Sequence, residues 1–250
     1  MHSSYCWSVM PLCERQLRDI NPEDVLCDGL YRRCNIYKGG GGYDKFEAIY
    51  HRRFHSEEKL NEQFVVQLLG CPLRCPYCYV TEEGIRGQPA RVSTQRLVSD
   101  FKDSGLPVFH LMGGAPAIYL EHWPKLLAEL PDSAVFHSDF LLQEFEYPVH
   151  TLESIAKHKR NLHAVSIKGS NEKEFLTNTG VAFNKSMFWK NLDNLVDTGV
   201  QFYLTYTGMP QESIDRFNEV AVKRYGGSIL RDSFAIGIVQ YEAIKDAPAF

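Results

Sequence analysis

The sequence predicts an α/β protein built around a parallel sheet, and three observations carry that expectation. From residue 62 onward, apolar runs of strand length alternate with segments of helical period. The runs are near-continuous in apolar character, as expected of parallel strands covered by helices. Capping residues punctuate the alternation, with Ser93 or Thr94 opening one helix and Gly199 closing another.

The elements follow in order. "EQFVVQLLG" (62–70) reads as a strand, "TQRLVSDFKDSG" (94–105) as a helix, and "PVFHLMGG" (107–114) as a strand. "LEHWPKLLAEL" (120–130) is helical, "AVFHSDFL" (134–141) extended, and "TLESIAKHKR" (151–160) helical. "HAVSIKGS" (163–170) is a strand, "NKSMFWKNLDNLVDTG" (184–199) a helix, and "VQFYLTYTG" (200–208) a strand. "ESIDRFNEVAVKRYG" (212–226) is the last helix and "FAIGIVQYEA" (234–243) the last strand. Six such units suit an open or partial barrel or a doubly wound sheet, and periodicity does not choose between them. Either architecture gathers ligands at the C-terminal ends of its strands.

Residues 1–61 read as an N-terminal extension, and 62–250 as the α/β unit. The extension holds a capped helix start at "NPEDVL" (21–26) and a glycine-rich turn or loop at "KGGGGYDKF" (38–46). No Gly-Lys-Ser/Thr follows the glycines, so they are not a phosphate-binding loop. Cys6, Cys13, Cys27 and Cys34 also lie here. These four thiols could hold a second cluster or zinc, and they could equally be buried structural cysteines.

Composition narrows the class. The chain has 250 residues, 44% hydrophobic and 23% charged, with a net charge of −4. No basic surface for DNA is expected. No apolar run reaches the length of a membrane span, and the start lacks the apolar segment of a signal peptide, so a cytoplasmic protein is expected. Seven cysteines, three of them clustered, fit metal-bound thiols better than a disulfide framework.

The chemistry concentrates in "GCPLRCPYCYV" (70–80), which begins where the first strand ends. The spacing is Cys71-x3-Cys75-x2-Cys78. A structural zinc site uses four ligands, usually as two separated pairs. Three thiolates on one short loop suit three irons of a cubane cluster and leave the fourth iron open. Pro72 and Pro76 stiffen the loop, and Arg74 can offset thiolate charge.

This spacing, with Tyr77 before the third cysteine, resembles the signature of the radical S-adenosylmethionine (SAM) superfamily over roughly residues 62–243. The resemblance implies a partial parallel (β/α)6 barrel. It also implies a 4Fe-4S cluster on Cys71, Cys75 and Cys78, with S-adenosyl-L-methionine at the open iron. Reductive cleavage would then give methionine and a 5′-deoxyadenosyl radical that abstracts hydrogen from an organic substrate. A flavodoxin or ferredoxin would supply the electron.

By the same resemblance Tyr77 lies against the adenine. Gly113 and Gly114 of "MGGAP" (112–116) occupy the family's Gly-Gly-Glu-Pro motif, where Ala115 replaces the glutamate that accepts from the methionine ammonium. Ser138 is the candidate polar contact at the third strand end, and Lys168 of "SIKG" the partner of the methionine carboxylate. "KGSNEKEFLTNTG" (168–180) resembles glycyl-radical-enzyme activating enzymes. Chain length and this stretch favour an activase working on a partner protein. The extension and Ala115 favour an enzyme acting on a small molecule, nucleotide or peptide. A non-catalytic iron–sulfur or SAM-binding protein is the third reading. His110 and His137 are expected to be core histidines, and Tyr203 and Tyr206 to face opposite sides of their strand.

Overall fold

A computed structural model describes residues 6–9, 42–78 and 88–236. Strands β2 (Gln63–Gln67), β4 (Val108–Met112), β5 (Val135–Phe140), β6 (Asn161–Ile167), β7 (Phe202–Thr207) and β8 (Phe234–Ile236) form one sheet, entirely parallel, in that spatial order. The order runs straight through the sequence with no reversal. A doubly wound sheet requires a reversal, so the arrangement is a partial (β/α) barrel with two open edges.

The outer face is covered by helices α2 (Thr94–Ser104), α3 (Trp123–Glu129), α4 (Val149–Ala156), α6 (Lys185–Thr198) and α7 (Gln211–Tyr225). Their apolar stripes meet Phe64, Val66, Phe109, Leu111, Phe136, Val165, Ile167 and Leu204 in the main core. Tyr206 joins this face, and its hydroxyl donates to Asn218 of α7. Ser93 caps α2 by accepting from the Arg96 amide at 3.2 Å. The stretch expected as one helix from 120 is a 3₁₀ segment (Pro116–His122) followed by α3, because Pro116 and Pro124 each favour a fresh helical start. A short helix, α5 (Glu172–Thr179), was not expected as a helix. Asn171 caps it and Gly180 closes it in the left-handed conformation.

Strand alternation turns the other residues inward. Val108, Val135, Leu162, Ala164 and Tyr203 meet helix α1 (Gly42–Phe54), whose Phe46, Ile49 and Tyr50 pack onto this inner face with Leu60. Phe46 lies against the His137 ring at 4.0 Å, and His137 stacks on His110 at 4.1 Å. These contacts fall on the N-terminal and middle residues of the strands. They fill the inner face at the end opposite the cysteine loop and leave the C-terminal ends as the mouth.

The C-terminal end of α1 is tied by charge to the segment just before β8. Asp232, with a side chain 0% exposed, receives Arg53 at 2.6 Å and Arg52 at 3.0 Å. Burial pushes this carboxyl up, but the hydrogen bonds from the two arginines outweigh it and hold it below the usual carboxylate range. A lowered folded pKa stabilises above the unfolded value of about 4, and the contribution disappears as pH falls through the folded value. Asp232→Asn should therefore cost about 3 kcal/mol at pH 7, because it strands Arg53. Urea denaturation of both forms at pH 7 and near pH 3 checks this. The gap should be smaller at the lower pH, and an equal gap at both pH values would contradict the ion-pair account.

Two short strands complete the fold. β1 (Cys6–Val9) pairs antiparallel with β3 (Ala90–Ser93) and bridges to Leu68 through Val9. Trp7 is fully buried there and donates to the Thr94 hydroxyl at 3.0 Å. The backbone of Cys6 belongs to β1, while Cys13, Cys27, Cys34, the 21–26 segment and the end of the strand expected at 234–243 lie outside the described residues. Among the described residues no helix is long and apolar enough to cross a membrane.

Candidate cluster and cofactor site

The loop after β2 carries Cys71, Cys75 and Cys78 as half-buried thiols at the C-terminal end of the sheet. Its conformation is held by three neighbouring segments. On one side, the Ala115 amide donates to the Gly70 carbonyl at 2.7 Å, so the "GGAP" turn is stitched to the residue before Cys71. On another, the Arg74 amide donates to the Thr179 carbonyl at 2.6 Å at the end of α5. From below, the Leu69 amide donates to Ser8 of β1 at 3.0 Å.

Gly113 and Gly114 of the "GGAP" turn, and Gly180 after α5, lie close against the protein's own atoms. A side chain on Gly114 (φ +46°) would run into the Gly70 carbonyl and come within 2.7 Å of the Leu68 carbonyl. One on Gly180 (φ +68°) would fall 2.9 Å from Arg74 Cβ. Gly113 (φ +69°) lies over the Gln67 side chain with no space for a methyl group. The "KGSNEKEFLTNTG" stretch therefore has a structural duty, since it forms the wall against which the cysteine loop is set.

An apolar floor of Leu73, Ala115, Leu141 and Phe175 lies beside Cys71 and Cys75. Burial pushes the Cys71 thiol up to about 12, with Cys75, Cys78 and Glu144 adding to the effect against a hydrogen bond from the Leu73 backbone. Three thiolates this close need positive charge supplied from outside. The Arg74 guanidinium donates through Nη1 to the loop carbonyls of Cys71 (3.2 Å) and Leu73 (2.8 Å), which holds its positive charge within the loop. Among the described residues no three His, Cys, Asp or Glu side chains converge as a single metal ion requires. Three thiols spread over one loop fit a cluster that takes one thiolate per iron.

Tyr77 and Lys168 meet at this site. The Lys168 ammonium sits 5.5 Å from the Tyr77 ring centroid, joining the third cysteine's neighbour to the end of β6. Ser138 does not join them. It shares its face with Phe136 and Phe140, is fully buried, and donates to the Leu111 carbonyl at 3.1 Å. Its expected role as a cofactor contact is corrected by strand parity, which turns Asp139 inward instead.

Asp139, 37% exposed, lies 4.0 Å from His110 Nε2. Desolvation pushes its carboxyl up to about 7, opposed by Lys168. His137 is a satisfied core histidine, facing the Tyr203 hydroxyl at 3.2 Å. Burial holds both His110 and His137 neutral, pushing His110 down to about 3. The sequence reading named neither Asp139 nor Gln67 as a site residue. The available signal was the two-residue period of β5 and β2, once one residue of each strand is known to face inward.

A thiol triad at the C-terminal rim of a partial parallel barrel defines a class of cluster-dependent α/β barrel proteins. The model of the Radical SAM superfamily matches residues 66–222, more than half of the chain, and the chain belongs to that superfamily. Membership implies a 4Fe-4S cluster and AdoMet as cofactors. Streptococcus suis SuiB bound to precursor peptide SuiA superposes with a TM-score of 0.56 at 15% identity, covering 86% of this chain and 51% of that one. A cysteine-to-serine mutant of spore photoproduct lyase gives 0.54 at 12% identity, covering 71% and 56%. anSMEcpe with bound AdoMet gives 0.51 at 13% identity, covering 68% and 49%. At these identities the likeness shows the fold alone, and this chain spans about half the length of those structures. No curated protein matches the sequence.

Proposed function

We propose that this protein is a radical SAM enzyme acting on an organic substrate (a small molecule, nucleotide or peptide) seated in the barrel mouth. The observation that carries the reading is the cysteine loop, pinned by the "GGAP" turn, α5 and β1 at the C-terminal end of the sheet. Cys71, Cys75 and Cys78 would hold the 4Fe-4S cluster. When bound, the cluster supplies the electron that cleaves SAM to methionine and a 5′-deoxyadenosyl radical, which takes hydrogen from the substrate.

The protein's own residues bind and shield. Tyr77 and Lys168 offer an aromatic face and a cation at the rim, suited to an adenine and a carboxylate. Leu73, Ala115, Leu141 and Phe175 keep water from the cluster side. Asp139 places a carboxyl group on the inner wall, where a polar substrate would reach it, and the buried, neutral His110 imidazole backs it at 4.0 Å. SuiB's bound precursor peptide and anSMEcpe's bound AdoMet accord with a mouth of this kind. A flavodoxin or ferredoxin would be the electron donor.

A narrower reading, an activase taking hydrogen from a glycine of a partner protein, rests on "KGSNEKEFLTNTG". The contacts of that stretch with the cysteine loop explain it without a partner protein. The test is anaerobic incubation of reduced, cluster-loaded protein with SAM. Formation of 5′-deoxyadenosine is expected, and its absence from protein with a full iron complement would overturn the enzyme reading.

A further inference from the structure

Gln67 ends strand β2 on the inner face, paired with Met112. It is 1% exposed, and both its Oε1 and its Nε2 are buried without a hydrogen-bond partner among the described residues. Nearly all buried amides in folded proteins are paired, and packing alone gives no reason for a polar residue here. A leucine would fill the same space without an unmet polar group.

The position of the amide suggests what it awaits. Its side chain lies directly beneath Gly113, close enough that no Cβ fits between them. It is therefore fixed against the "GGAP" turn, four residues before Cys71. In that turn Ala115 stands where the superfamily motif has its acceptor for the methionine ammonium, and Ala115 is fully buried against Leu73, Leu141 and Phe175. The turn thus lacks the acidic group, while the neighbouring strand presents an amide with an open acceptor and open donors.

We propose that Gln67 receives the amino-acid head of S-adenosylmethionine, in place of the missing acidic residue. Oε1 accepts from the ammonium. Nε2 has two N–H donors, and one of them can reach the carboxylate of the same head group. The assignment rests on the radical SAM reading above. It adds that the acceptor has moved from the turn after β4 to the end of β2.

The test is calorimetric titration of anaerobic, cluster-loaded protein with SAM and, separately, with 5′-methylthioadenosine, which lacks the amino-acid head. Gln67→Leu should weaken SAM binding about ten- to a hundredfold, the usual range for a hydrogen bond to a charged group. Binding of 5′-methylthioadenosine should be unchanged. The melting temperature of the cluster-free variant should equal or exceed that of the wild type, because an unpaired buried amide has been removed. Should Gln67→Leu not fold, Gln67→Glu serves, and it should bind SAM at least as tightly as the wild type. SAM affinity within twofold of wild type in Gln67→Leu would overturn the proposal. So would equal weakening of both ligands, or a tenfold loss in Gln67→Glu. Failure of the wild type itself to bind SAM with its cluster complete would instead overturn the radical SAM reading.

Discussion

Replacing Cys71, Cys75 and Cys78 together by alanine is expected to abolish the brown colour of anaerobically prepared protein and bring its loop-bound iron to background. The three thiols are half-buried on one loop, and the Arg74 guanidinium donates to the carbonyls of that loop. No other cysteine lies on this loop among the described residues. The fold should survive, because alanine is tolerated at half-buried loop positions. Visible absorption, iron per chain and far-ultraviolet circular dichroism measure the three points. A triple variant that keeps all its iron and colour would show that the cluster sits elsewhere. Retention of about half the iron would instead point to a second centre, for which the N-terminal cysteines are the natural candidates.

Gly114→Ala should do nearly as much damage without touching a ligand. Gly114 adopts φ +46°, and a methyl group there would run into the Gly70 carbonyl. That carbonyl accepts the 2.7 Å hydrogen bond from Ala115, and the next residue along the chain is Cys71. Relief of the clash has to move the cysteine loop or the "GGAP" turn, and either movement breaks the bond between them. Left-handed backbone and local overpacking together should cost about 2–5 kcal/mol. Thermal unfolding of the cluster-free form reads the first effect, and iron per chain after reconstitution reads the second. Wild-type values for both would mean that the turn does not position the loop. Ala115→Glu should also destabilise, since it would force a carboxylate among Leu73, Leu141 and Phe175 instead of restoring a partner to SAM.

Much of this was legible in the residues themselves. The spacing of Cys71, Cys75 and Cys78 is a local property of one loop, and local properties survive in a linear string. The parallel strands announced themselves as apolar runs, because both faces of each are buried. Helix α1 was harder to read. Its Phe46, Ile49 and Tyr50 carry a helical period, but the glycine run at 39–42 immediately before it reads as a loop.

What the tertiary structure decided is everything that depends on which face of a strand points inward. Ser138 and Asp139 are adjacent in sequence, and only the packing of Phe136 and Phe140 against the helices turns the serine outward and the aspartate toward the mouth. The choice of a barrel over a doubly wound sheet needed the strand order, which short-range periodicity does not encode. The reason for Gly114 and Gly180 emerged only when three distant segments were brought against one loop. Their φ values and close approaches are properties of those contacts, and no single segment contains them. The sequence by itself carried the cysteine spacing and, through it, the superfamily. The fold determined which neighbouring side chains can reach it, because strand parity and close backbone contact arise only after the chain has packed.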